Sequence, residues 1–419
     1  MTGVLDDLRS ATGGHAAAAG AADTVGGVPA AYVAAPGSTA EAAAVLRVAA
    51  ARGLAVVARG AGTKLHWGAP PRRLDLIVDT GRLDQVVEHA AGDLVVTARA
   101  GVPLAVLADR LGEAGQRLAV DEVVPGTTVG GMLATGLSGP RRLLAGAVRD
   151  LVLGVTLVRA DGVVARAGGK VVKNVAGYDV AKLVTGAYGT LGLVTEATFR
   201  LHPVAPATAS VSAVLPDAAA AQAAVLRVLH AQFVPSALEV DRPVPGGPVE
   251  VALLLEGTAA GVAARTRQAV AVLGGEPVDL PPWWGRLPGT PAGPAGAGAG
   301  GVLLKVTAEL SGLARLLEGV DRAAAAGGVP VAVRGSAGVG ALHAAVPGGD
   351  PAAVDGFVRR LRGAAPAWSG SVVVLAAPPA VRSAVDSWGP VPGLELMRRV
   401  KQRFDPDALL APGRFVGGI

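Results

Sequence analysis

Val56-Val57-Ala58-Arg59-Gly60-Ala61-Gly62-Thr63-Lys64 and the stretch from Val124-Pro125-Gly126-Thr127-Thr128 through Gly130-Gly131 to Ser138-Gly139 decide how this 419-residue chain is read. In the first, a buried strand runs into a loop with two glycines, a threonine and two cations. Successive backbone N–H groups in such a loop can converge on one anion, because glycine permits the positive φ angles this needs. The loop lacks the GxxxxGK[ST] pattern, and no spaced third glycine follows Gly60 and Gly62, so it is neither of the two common nucleotide fingerprints. In the second stretch, closely spaced small residues let backbone approach a flat or charged ligand. A third cluster, Gly189-Thr190-Leu191-Gly192-Leu193-Val194, is a tight turn delivering a strand.

Working outward, composition narrows the chemistry. Half the residues are apolar but only 3% are aromatic, so the core must be Val, Leu and Ala. The chain has no cysteine, which excludes disulfides, thiolate zinc sites, protein-held iron–sulfur clusters and a cysteinyl flavin. The net charge of +5 comes from scattered Lys and Arg without interleaved aromatics, so no nucleic-acid partner is expected. No run approaches the ~20 apolar residues of a transmembrane segment. Met1–Gly20 does not read as a signal peptide. These readings predict a cytoplasmic location, with loose attachment to the inner face of the membrane left open.

Periodicity predicts helices over Glu41–Arg52, Arg82–Glu88 and Pro103–Ala114, and strands over Leu54–Ala58, Leu74–Asp79, Leu94–Ala98 and Leu193–Leu201. Asp161-Gly162 joins Leu151–Arg159 to Val163–Ala167 as a hairpin. After Pro203, two strand–helix–strand–strand–helix units are expected. They flank Pro288–Gly301, a Pro/Gly/Ala stretch that reads as a linker. Such units predict one antiparallel sheet with helices on one face.

The three glycine clusters resemble the FAD-binding domain of the vanillyl-alcohol oxidase superfamily. Further motifs are similar to the glycolate oxidase FAD-binding subunits: Ser138-Gly139-Pro140-Arg141-Arg142, Val148–Gly154, Lys173-Asn174-Val175-Ala176-Gly177-Tyr178-Asp179, and Pro412-Gly413-Arg414-Phe415 after Phe404-Asp405-Pro406. The resemblance implies an α+β fold. A two-part PCMH-type FAD-binding domain (1–205) precedes a ferredoxin-like antiparallel-sheet domain (206–390) covering the flavin, and a C-terminal helix and tail (391–419) return to the FAD domain. It implies that the backbone of Arg59, Gly60, Ala61, Gly62, Thr63 and Lys64 holds the FAD diphosphate. Pro125, Gly126, Thr128, Gly130, Gly131 and Ser138 would line the flavin and ribityl chain. Gly192 and Val194 would meet the cofactor from the third cluster, and Arg414 either reaches the pocket or lies on the surface. A histidyl flavin would use the position of Thr63, and His66 lies three residues on, so the resemblance implies non-covalent FAD.

Two motifs depart from the superfamily's hydroxy acid dehydrogenases. Where G-H-A-G-D-G-N-x-H is expected, the chain reads Gly335-Ser336-Ala337-Gly338-Val339-Gly340-Ala341-Leu342-His343. One imidazole does not make a divalent-metal site, so no metal is expected and His343 is read as a ligand or a packed strand residue. The acid of G-S-E-G-T-L-G is replaced by Tyr188. No catalytic residue is assigned. The resemblance then implies an FAD-binding subunit of a heteromeric oxidase of glycolate or another small 2-hydroxy acid, beside a catalytic flavin subunit and an iron–sulfur subunit. The alternative is a self-sufficient FAD-dependent dehydrogenase. Trp283-Trp284 reads as either a partner anchor or a core edge, and Tyr178-Asp179 as a turn between hairpin and helix.

Overall fold

A computed structural model describes residues 2–170, 177–289 and 301–419. The linker reading of Pro288–Gly301 and the Lys173–Ala176 part of the Lys173–Asp179 motif therefore fall largely outside the described residues.

The first loop hangs from a four-stranded sheet, ordered Ala16–Ala18, Tyr32–Ala34, Leu76–Asp79, Val56–Arg59, whose last three strands are parallel. Helix Thr39–Arg52 covers it. Ser38 caps its start by accepting from Glu41 N at 3.1 Å, and Gly53 ends it at φ +61°, a conformation that favours glycine. Ala42, Val45, Leu46 and Ala49 bury the face that meets the sheet.

A five-stranded antiparallel sheet follows, ordered Val164–Gly168, Val152–Val158, Leu193–Arg200, Val95–Arg99, Val86–Ala90. The Asp161-Gly162 hairpin is its first pair, with Gly162 at φ +78°. The expected Arg82–Glu88 helix is not formed. Val86–Ala90 is instead an edge strand paired with Val95–Arg99. Seven residues are too few to hold a helix without packing, and β-branched Val86-Val87 suits a pleated edge.

The second half forms one eight-stranded antiparallel sheet built from two halves of like topology. In chain order, the first half contributes Ala207–Leu215, Ala237–Arg242, Val249–Gly257 and Glu276–Val278. The second contributes Val302–Thr307, Ala332–Ser336, Ala341–Val346 and Ser371–Ala376. The halves meet where Ala237–Arg242 pairs with Ala332–Ser336, pairing Glu239 with Ser336 and Asp241 with Arg334. Four helices cover one face. Leu313, Leu316, Leu317, Val320, Ala323 and Ala324 recur at helical spacing along Leu313–Gly327 and are buried. Within that helix, a Cβ on Gly319 would lie 2.6 Å from the Trp368 ring. The helix thus accepts a glycine, at about 1 kcal/mol in propensity, to seat a fully buried tryptophan.

Polar contacts dock the halves of the molecule. Glu256 of the second sheet accepts from Arg117 at 2.6 and 2.9 Å and from Arg141 at 3.2 Å. Burial raises its pKa, but Arg117 and Arg141 outweigh this and hold the carboxyl below its usual value. The chain's end then returns to its beginning. Val56 N donates to Leu409 O and Ala411 N to Val56 O, at 2.8 and 2.7 Å. In the last turn of helix Leu394–Phe404, buried Lys401 Nζ donates to Thr190 O, Leu410 O and Asp405 Oδ2. Asp405 also accepts from Leu409 N and Leu410 N. Lys401→Met should strand a fully enclosed carboxylate and cost about 3–5 kcal/mol, read as a lower urea midpoint at constant m. A loss under about 1 kcal/mol would mean that this clasp does not hold the tail.

Candidate functional site

The two glycine-rich segments face each other. Gly60 lies so close to Thr128 that a Cβ there would come within 2.4 Å of Thr128 Oγ1. That hydroxyl is already engaged, accepting from Gly131 N as the cap of helix Val129–Thr135. Gly130 has no room for a side chain either, because its Cβ would lie 2.9 Å from Ala100 Cβ, and its N–H donates to Ala100 O at 2.7 Å. A polar tie completes the junction: Lys64 Nζ donates to Thr127 Oγ1 at 2.6 Å and to Thr63 Oγ1 at 3.3 Å.

Two adjoining hollows open along this junction, with about 530 and 480 Å³ of free space that includes the solvent at their mouths. Both are walled by Ala58, Gly60, Gly131 and Ala134. The first adds Arg59, Gly130, Gly192 and Val194, together with Thr80, Ala100, Val184, Ala187, Gly189, Leu191 and Leu193. The second adds Ala61, Gly62, Thr63, Lys64, Leu65, Thr128, Thr135, Tyr188 and Arg414. The walls are thus almost entirely small or aliphatic residues, with polar groups concentrated at the first loop.

That loop is a donor array. Gly62 takes φ +76°, and the amides of Ala61, Gly62, Thr63 and Lys64 have no acceptor among the described residues. The two cations differ in role. Arg59 is spent on Asp23 and Asp79, at 2.6 and 2.8 Å. Lys64 is buried with only hydroxyl partners, and burial lowers its pKa to about 8, against a weaker opposing pull from Glu122. Four free amides and an ammonium lacking a carboxylate partner fit a diphosphate, while the smooth small-residue walls fit a flat ring system.

The remaining expected residues stand apart. Pro125 and Gly126 are exposed beside the first loop; a Cβ on Gly126 would lie 3.5 Å from Thr63 Cγ2. Ser138 points into the structure, where Oγ accepts from Val148 N at 3.0 Å. Tyr178 is exposed and Asp179 caps helix Val180–Val184. Trp283 donates to Glu250 at 2.7 Å and stacks under Arg334, whose guanidinium carbon lies 5.7 Å from the ring centroid.

At the far end, Arg414 is buried, its Nη2 donating to Leu65 O and Trp67 O at 2.9 and 2.7 Å. Burial lowers its pKa to about 10. Tyr188 N donates to Ala134 O with Tyr188 at φ +54°, so a strained backbone turn carries the ring to the hollow. Burial pushes its phenol pKa up. The ring packs at 5.3 Å from Trp388 and 5.7 Å from Phe415. Sequence reasoning recorded Tyr188 only as a departure from a motif and did not see Trp388. The signal available was a bulky residue inside a glycine-rich turn.

Residues 29–168 match the family described as FAD binding domain, and residues 386–415 match the C-terminal domain of FAD linked oxidases. The chain is 41% identical over 150 residues to glycolate oxidase subunit GlcE of Escherichia coli, covering 35% of this chain and 42% of that protein. It is 32% identical over 213 residues to glycolate oxidase subunit GlcD of Bacillus subtilis, covering 50% and 45%. A D-lactate dehydrogenase of Archaeoglobus fulgidus is 36% identical over 168 residues, covering 40% and 38%. Each match thus spans less than half of the relative's length. In fold, the chain superposes on p-cresol methylhydroxylase with a TM-score of 0.75, covering 99% of this chain and 96% of that one at 15% identity. The two-loop cradle lies within the first of these matches, so residues 29–168 belong to the FAD binding domain family and FAD is the cofactor that the matches support.

Proposed function

We propose that the amides of the Arg59–Lys64 loop hold the FAD diphosphate, that Lys64 neutralises it, and that Thr128, Gly130, Gly131, Gly192 and Val194 line the rest of the cofactor. Pro125 and Gly126 close the first loop from outside, Ser138 fixes the second segment by bonding to Val148 N, and Arg414 rigidifies the pocket end. FAD is non-covalent in this reading, because Thr63 faces the hollow while His66 is absent from its lining. Bound there, FAD supplies two-electron oxidation chemistry and a store for the electrons. Tyr188, Trp388 and Phe415 exclude water from that end.

At the level of the assembly, the chain is proposed as an FAD-binding subunit of a heteromeric glycolate (2-hydroxy acid) oxidase, beside a catalytic flavin subunit and an iron–sulfur subunit. It relays electrons from the catalytic subunit or supports it. The observation carrying this reading is the environment of His343. Its cross-strand neighbours are Lys305 and Arg334, so the place where hydroxy acid dehydrogenases gather metal ligands here gathers cations. Among the described residues no helix is long and apolar enough to cross a membrane, which suits a peripheral subunit on the cytoplasmic side. The alternative, a self-sufficient dehydrogenase, differs in one test. The purified chain mixed anaerobically with glycolate or D-lactate should keep oxidised flavin until the partner chains are added; rapid bleaching by the chain alone would overturn the relay role.

Two predictions address the cradle. Gly60→Ala should displace the Thr128 cap and Gly62→Val should strain φ +76°, each lowering FAD occupancy at least tenfold in the absorption spectrum. Undiminished occupancy in both would place the diphosphate elsewhere. The second prediction concerns pH. Lys64 titrates at about 8 without a counter-anion, and a bound diphosphate raises that value. Binding therefore takes up a proton above pH 8, and affinity falls as pH rises, by up to roughly one decade per unit. The Kd for FAD should climb between pH 8 and 9.5 in the native chain and stay flatter in Lys64→Met; parallel profiles would refute the assignment.

A further inference from the structure

On the face of the second sheet opposite its helices, Lys305 and His343 lie side by side with no carboxylate paired to either. Lys305 and His343 are direct cross-strand partners, which puts their Cβ atoms about 5 Å apart on one face. Lys305 has no hydrogen-bond or ion-pair partner among the described residues. His343 Nε2 is fully enclosed and equally unpartnered. Arg142 joins them from the first domain. It opens the short helix Arg142–Ala145, and its neighbour Leu143 packs so tightly on the second domain that a Cβ on Gly338 would lie 2.9 Å from Leu143 Cδ2. The Arg142 guanidinium makes no ion pair among the described residues, although it acts electrostatically on both Lys305 and His343.

Nearby charges compensate this group only in part: burial lowers the pKa of Arg142 and the weaker pulls of Glu239 and Asp150 raise it, while Lys305 feels no carboxylate. Arg334 is already neutralised by Asp241 at 2.7 Å. Glu239 is buried and its Oε1 unpartnered; burial pushes its pKa up to about 8, so it carries little negative charge at neutral pH. Burial first, and Lys305 and Arg142 next, pull His343 down to about 3, leaving a neutral imidazole with hydrogen-bonding capacity to spare. Buried cations without counter-charge are costly unless an anion completes them. Lys305, His343 and Arg142 each retain some exposure, that of His343 through atoms other than Nε2.

We propose that Arg142, Lys305 and His343, drawn from both domains, form a metal-free receptor for the carboxylate of a small organic acid, giving this chain an acid-binding site of its own. Arg142 and Lys305 supply the charge and His343 a directional hydrogen bond, while buried Ser336, two residue pairs along the sheet, faces Glu239. The same arrangement repels a divalent cation. The site goes beyond the relay role and does not require it, since binding of an acid is separable from its oxidation.

Calorimetric titration of the purified, FAD-loaded chain with oxalate, and with neutral oxamide as control, tests the proposal. Saturable one-to-one binding of oxalate and none of oxamide is expected. Arg142→Met and Lys305→Met should each weaken it tenfold or more, while Lys305→Arg stays within about threefold of the native chain and shows that the fold survives. Absence of saturable oxalate binding, or equal affinity in both Met variants, would overturn the receptor. Flavin absorbance of the same samples reads the cofactor assignment separately: a chain without flavin that still binds oxalate refutes the FAD cradle and leaves the receptor standing.

Discussion

The contact between Gly60 and Thr128, reinforced by Lys64 reaching Thr127, is the constraint on which the rest depends. It presses the end of a parallel sheet against the start of a helix belonging to the antiparallel sheet. Neither partner tolerates bulk: a Cβ on Gly60 would meet an engaged hydroxyl at 2.4 Å, and one on Gly130 would meet Ala100 at 2.9 Å. Where the backbones come this close, the amides of residues 61–64 have no acceptor among the described residues and a hollow opens beside them. Donor array and hollow thus meet at one packing contact.

The C-terminal tail stabilises that arrangement from behind. Its backbone bonds to Val56, the first residue of the strand that delivers the loop, and Lys401 binds Thr190 O in the third glycine cluster. One buried ammonium with three acceptors thus links helix, tail and site wall. Arg414 extends the same device into the hollow by binding the carbonyls of Leu65 and Trp67. The matched C-terminal segment, 386–415, is the part that carries Trp388, Arg414 and Phe415.

Much of this was legible in the sequence for physical reasons. Glycine-rich turns after β-branched strands state where backbone must bend or approach, and two strand–helix–strand–strand units after Pro203 state an antiparallel sheet. What escaped was set by tertiary contact. Val86–Ala90 becomes a strand because a neighbour offers an edge, and Ser138 turns inward because Val148 N needs an acceptor. Arg59, equal to Lys64 in the sequence, is diverted by Asp23 and Asp79, which lie far from it along the chain. The lack of a carboxylate beside Lys305 is a fact of pairing register, invisible until Lys305, His343 and Arg334 are seen in one cross-strand row.

The second sheet brings Lys305, His343 and Arg334 into one cross-strand row, and the first loop leaves the amides of residues 61–64 without acceptors among the described residues. The most direct measurement is a crystal structure of the chain with FAD bound. Diphosphate oxygens are expected within hydrogen-bond distance of the amides of residues 61–64 and of Lys64 Nζ, with the ring between Gly130-Gly131 and Gly192–Val194. A diphosphate held elsewhere, with those amides still turned to solvent, would contradict it.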